Sequence, residues 1–232
     1  MARTEPSRSV SDLIQAGRDR EAARRGALGG SASPATDPDD PYQPDGGTMD
    51  PLAQLDQLAP LLGNVVGGIR PDQLDQPTPC EEFTVRGVLE HMIGGATMFA
   101  AAYRGETPAE PDTSDPLGSF GPVLGALGQA VSAPGALDQT VAAPFGEVPG
   151  ETFARFIVLD GLVHGWDLAT ATGQPYDPPA DLVAAVDEFA HQALDPLRAG
   201  PAFGDAVEPP AGATPMERLA AYTGRRPVTP AA

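Results

Sequence analysis

The sequence predicts an all-α fold, a bundle of about four long helices with additional helices toward the C-terminus and short extended connections. Apolar residues recur at threes and fours along its main stretches, the mark of helix faces turned to one core. Recognisable caps and stops bound those stretches. The one segment with any strand character, Val141 to Val148, alternates poorly and carries Pro144 and Gly146, so it is at most a short hairpin or extended connector.

The periodic pattern opens at Asp50, an N-cap, with Pro51 at the first helical position. Leu52, Leu55, Leu58, Leu61, Leu62, Val65, Val66 and Ile69 then line one face. Pro60 is expected to kink this helix or split its first turns, and the Pro-rich link from Pro71 to Pro79 ends it. Thr84 caps a second helix through Val85, Val88, Leu89, Met92, Ala96, Phe99 and Tyr103 to Gly105, with His91 beside the apolar stripe. Gly94 and Gly95 follow His91, and residues that small allow a neighbouring helix to come close. A third helix, Pro116 to Ala133, spaces Gly118, Gly121, Gly125 and Gly128 by threes and fours, a pattern expected to form a close-packing seam. No strand precedes it, so it does not read as a phosphate loop.

The fourth helix opens at Glu151 and stops at Gly173. From Phe156 to Ala169 it is nearly all apolar or small, and the exceptions include Asp160, His164 and Asp167. A fifth helix, Pro179 to about Leu197, buries Leu182, Val183, Val186, Phe189, Ala190 and Leu194. After a Gly/Pro-rich loop, Pro215 to Tyr222 forms a last short helix stopped by Gly224.

Residues 1–48 read as a disordered Arg-, Pro- and Gly-rich leader, and residues 49–232 as the folded domain. Met49, directly before the ordered pattern, offers an alternative start. The chain of 232 residues carries 32 acids against 14 arginines, with no lysine, for a formal charge of −18. Such a charge argues against nucleic acid or an anionic membrane as partner and leaves small molecules or proteins. A single cysteine, Cys80, excludes an internal disulfide and excludes zinc sites needing two thiolates. With no apolar run long enough for a membrane span and no signal-peptide pattern, the expected location is the cytoplasm.

The chemistry concentrates on the fourth helix. Asp160 and His164 are four apart, so on a helix their Cβ atoms lie roughly 5–6 Å apart on one face. Apolar neighbours Ile157, Val158, Leu159, Leu162 and Val163 are expected to deny Asp160 water, and a carboxylate so placed needs a counter-charge or a metal. His91 of the second helix could join them in the bundle interior. Two imidazoles, a carboxylate and an open fourth position make the pattern of a catalytic-type zinc site. A buried ion pair without metal explains Asp160 and His164 equally well. Asp187 and His191 share the same spacing, but among Glu188, Gln192 and Asp195 they fall on a wet face.

Thr78-Pro79-Cys80, then Glu82-Phe83-Thr84-Val85-Arg86 and His91-Met92-Ile93-Gly94-Gly95, resembles the second-helix motif of the mycothiol-dependent maleylpyruvate isomerase N-terminal family, within the DinB-like superfamily. Pro144-Phe145-Gly146-Glu147 leading to His164-Gly165-Trp166-Asp167-Leu168-Ala169, with Ala171-Thr172-Gly173-Gln174, is similar to its other signature. Ala220-Ala221-Tyr222-Thr223-Gly224-Arg225 is similar to its closing segment. The resemblance covers residues 50 to about 227. It implies a DinB-like four-helix bundle whose metal is held by one histidine of the second helix and an acid and a histidine of the fourth, here His91, Asp160 and His164. Where the isomerase has a Glu in the fourth-helix pair, this chain has Asp160, one methylene shorter.

Beside these, Asp167 is either a hydrogen-bond partner of a ligand histidine or, by preference, a structural group for the following loop. Trp166 reads as core before substrate wall, and Cys80 as a small buried thiol before a thiol made reactive by the helix N-terminus. Arg225 and Arg226 either reach over the site to hold a carboxylate or, by preference, cap the last helix. The expected function is a thiol-dependent transferase or isomerase acting on a small electrophile, with a divalent metal, zinc first and nickel, iron or manganese open, and with mycothiol as cosubstrate. The alternative is a non-catalytic metal-binding or regulatory module of the same fold.

Overall fold

The computed structural model describes residues 49–143, 146–198 and 205–226. The leader expected over residues 1–48 lies outside the described residues, as do Pro144 and Phe145. Among the described residues, six α-helices span Pro51–Gly67 (α1), Val85–Arg104 (α2), Pro116–Val131 (α3), Gly150–Thr172 (α4), Ala180–Ala193 (α5) and Pro215–Tyr222 (α6). Two short antiparallel strands, Thr140–Ala143 (β1) and Gly146–Pro149 (β2), pair Val141 with Val148 between α3 and α4.

The expected caps form. Asp50 Oδ1 accepts from the backbone N–H of Leu52 at 2.8 Å and of Ala53 at 3.2 Å. Thr84 caps α2 through the N–H of Gly87, and α6 has a cap not anticipated from the sequence, a reciprocal capping box of Thr214 with Glu217. Gly105 and Gly173 end α2 and α4 in the left-handed region, at φ 66° and 69°. Met49 is pinned as well, because its carbonyl accepts from Gln54 Nε2 at 2.9 Å and from Arg155 at 3.1 Å.

Pro60 does not split α1, which runs unbroken past it. The residue is exposed, so water can take the carbonyl that its missing N–H leaves free. The fifth helix is shorter than expected, stopping at Ala193 with a 3₁₀ turn over Asp195–Leu197 after it.

Helices α1 to α4 pack as the bundle, α1 against α4 and α2 against α3, while α5 and α6 pack on each other and on α4. From Phe153 to Ala169, α4 is buried except at Arg155, Asp160 and Trp166, making it the element around which the rest is laid. Leu58, Leu62, Leu89, Ile93, Leu159 and Leu162 fill the core at the middle of the bundle. Phe153, Tyr103, Val131 and Val148 close the end beside the hairpin, where Tyr103 Oη donates to the Gly150 carbonyl at 2.7 Å.

The close-packing glycines are not those of α3. A Cβ at Gly121, Gly125 or Gly128 would meet nothing within 4 Å, and the same holds for Gly94 of α2. The seam lies on α4, where a Cβ on Gly161 would come within 2.8 Å of Leu58 and one on Gly165 within 2.9 Å of Leu62. Glycine at these two positions lets α1 settle against α4. Spacing alone cannot tell a glycine that faces a helix from one that faces a void.

Candidate metal centre

The loop between α1 and α2 is built to present α2. The buried Thr78 hydroxyl donates to the Phe83 carbonyl at 2.7 Å and approaches that of Cys80 at 3.0 Å, closing the turn. Phe83 thereby lies against the His91 ring, with centroids 5.3 Å apart and planes inclined by 30°. At the far end of α4, Gln73 Nε2 donates to the Thr172 carbonyl, and Gln174 Nε2 to that of Val65, at 3.1 Å and 3.0 Å. These bonds fix how far α4 slides along α1, and so the height at which Asp160 and His164 stand opposite His91.

The structure brings the three expected residues together. His91 Nε2 lies 3.4 Å from Asp160 Oδ1, and His164 Nε2 lies 3.5 Å from the same oxygen. The imidazole centroids are 4.8 Å apart. One ligand atom from each residue falls within 4.8 Å of the others, so the donor set fits a divalent ion. His191 does not join them. It stacks on Tyr222 at 3.8 Å and its Nδ1 donates to the Asp187 carbonyl at 2.9 Å, which makes it a fastener between α5 and α6.

Asp160 differs from expectation in one respect. Its side chain is 37 % exposed, so the apolar residues before and after it do not deny it water. They point to other sides of α4, and Asp160 opens into a concavity between helices. Desolvation pushes its carboxyl up, but the His164 and His91 rings outweigh that and hold it below the ordinary carboxylate value. In return the Asp160 hydrogen bond raises His91 above the ordinary imidazole value, against the opposing effect of burial.

Asp167 belongs to the site, contrary to its reading as a loop anchor. Its fully buried Oδ2 accepts from His164 Nδ1 at 3.0 Å and from Arg225 Nε and Nη2 at 3.3 Å each. A carboxylate can only accept, so Nδ1 donates to Asp167, and Nε2 is the nitrogen left facing Asp160. Arg225, expected as a helix cap, reaches back from the end of α6 to neutralise that buried carboxylate, and its Nη1 also donates to the Thr223 carbonyl. Arg226 pairs instead with exposed Glu81 at 3.6 Å. The signal for Asp167 was available in its three-residue spacing from His164; that for Arg225 was not, since the contact joins residues 58 positions apart. Cys80 is half-buried, and desolvation pushes its thiol up despite nearby Arg225, which makes it a poor nucleophile.

Fold and site thus define an all-α bundle carrying a His/Asp/His cluster on its second and fourth helices, a cluster able to hold a divalent metal. The chain belongs to the mycothiol maleylpyruvate isomerase N-terminal domain family, whose model matches residues 55–169. It is similar to two proteins described as uncharacterized from Mycobacterium tuberculosis, strains CDC 1551 and H37Rv. Each is 34% identical over 181 residues, spanning 76% of this chain and 98% of the relative. No solved structure matches the chain significantly. Among the described residues no helix is long and apolar enough to cross a membrane.

Proposed function

We propose that this protein is a thiol-dependent transferase or isomerase in which His91, Asp160 and His164 hold a divalent ion, zinc before nickel, iron or manganese. The observation that carries the reading is a three-donor cluster with two part-exposed members, His91 and Asp160, and no fourth protein ligand among the described residues. A structural zinc site is closed by a fourth protein ligand, whereas a catalytic one keeps that position open. An ion bound there would act as a Lewis acid and lower the pKa of a small thiol, mycothiol by family membership, so that the thiolate is available at neutral pH.

The chain's own residues set the conditions for that chemistry. Asp167 fixes the orientation of the His164 ring, and Arg225 pairs with Asp167 in a buried place. Phe83 covers one face of His91 and limits its swing. Asp160 contributes the single negative charge of the donor set, and its exposure leaves an approach for the thiol and for a small electrophile. The proposed setting is the cytoplasm, with small molecules as partners.

Cobalt-substituted protein tests the reading, because sulfur coordination gives a charge-transfer band that nitrogen and oxygen ligands do not. Mycothiol should produce the band in wild type and in Cys80→Ser, and not in His164→Ala. A metal spectrum indifferent to every thiol, with no thiol-dependent turnover of electrophiles, would leave a non-catalytic metal-binding or regulatory module as the better account.

A further inference from the structure

Beside the cluster, helices α1 to α4 leave a cavity of about 340 Å³. Leu58, Leu62, Met92, Phe99, Leu124 and Ile157 make much of its wall. Asp160 is the wall residue that the cavity shares with the ligand cluster. Among the described residues the other polar side chains lining it are Asp56 and Ser132, with no arginine or histidine. Arg225, whose charge acts on His91 and Asp160, is engaged by Asp167 and is not among the wall residues. The glycines of α3 explain why the space exists. Gly121, Gly125 and Gly128 all line it, and a Cβ on any of them would meet nothing within 4 Å.

We infer that this cavity receives the carbon body of the substrate, and that the substrate is a mainly apolar molecule of about two fused rings, with its reactive polar end toward Asp160 and no charged group away from that end. The inference rests on the metal reading for what happens at that end. Size follows from volume: an apolar cavity of about 150 Å³ accommodates one benzene ring, so one somewhat over twice as large takes about two. Polarity follows from the wall. A charged group at the Asp160 end could be met by a bound divalent ion, but a second anionic group at the other end would give up part of its water to leucine and phenylalanine with no cation of the described wall to replace it. Asp56 would repel it further. The cavity therefore rejects small dicarboxylates, which are charged at both ends.

Calorimetric titration of the zinc-loaded full chain with 2-naphthol and with naphthalene-2,6-dicarboxylate separates the classes, since the two share one ring system. Naphthol should bind, and the dicarboxylate should bind at least about tenfold more weakly. Gly125→Leu, which fills the cavity from a position with free space, should abolish naphthol binding while zinc is still taken up; Gly121→Met serves if that variant does not fold. Equal or tighter binding of the dicarboxylate would overturn the inference, as would naphthol binding unchanged in both variants. Zinc uptake without naphthol binding would overturn the cavity assignment alone. Naphthol binding in a chain that takes up no zinc would support the cavity's selectivity and sink the metal reading instead.

Discussion

Asp167 Oδ2 lies 3.0 Å from His164 Nδ1, and both side chains are buried inside the central helix. This contact decides which nitrogen of His164 is free to coordinate, and it predicts a loss of metal affinity when the acceptor is altered. Asp167→Asn should weaken zinc binding by about 10–100-fold, the usual effect of removing a carboxylate behind a ligand histidine. Competition with a chromogenic chelator measures it. Unchanged affinity would mean that Asp167 serves only to anchor Arg225.

Ligand removal gives the most direct check. Purified protein should carry close to one divalent ion per chain, and His91→Ala or His164→Ala should lose it. His191→Ala should keep it, because His191 is committed to Tyr222 and the Asp187 carbonyl. Equal loss in all three variants would sink the assignment.

The His91 and Asp160 pair predicts a pH window for the metal-free chain. The folded value of His91 is raised, so its contribution is full below the unfolded imidazole value of about 6.5 and is lost as pH rises through the folded value. The folded value of Asp160 is lowered, so its contribution is present above about pH 3.9 and is lost as pH falls through the folded value. In chelator, the difference in melting temperature between wild type and His91→Gln should therefore be larger at pH 5 than at pH 8.5. Metal affinity should run the other way, falling as protons compete for His91. A difference independent of pH would show that the two groups do not interact in solution.

Two glycine substitutions should have opposite signs. Gly125→Ala adds a methyl group to open space on a helix and should stabilise by up to about 1 kcal/mol through helix propensity, raising the melting temperature by about 2–4 °C. Gly161→Ala must push Leu58 away from α4 and should lower it, because overpacking a buried helix contact costs about 1–3 kcal/mol. Thermal melts of the two variants decide the matter, and equal effects would place the helix seam elsewhere.

Much of this protein was legible along the chain, because helix periodicity, caps and glycine stops are properties of residues within a few positions of one another. Asp50, Thr84, Gly105 and Gly173 act locally, and the elements they bound are where those residues place them. His91, Asp160 and His164 were nameable too, since the pair on α4 is a local spacing and the resemblance supplied the partner on α2. What needed the tertiary structure were directions and distances between elements. The exposure of Asp160 depends on which helices leave a gap beside it, not on its apolar neighbours in sequence. The roles of the glycines were exchanged for the same reason: Gly161 and Gly165 meet α1, while Gly121, Gly125 and Gly128 meet empty space. Arg225 reaches Asp167 only because α6 packs back onto α4, and a contact 58 residues long leaves no periodic trace in the chain that makes it.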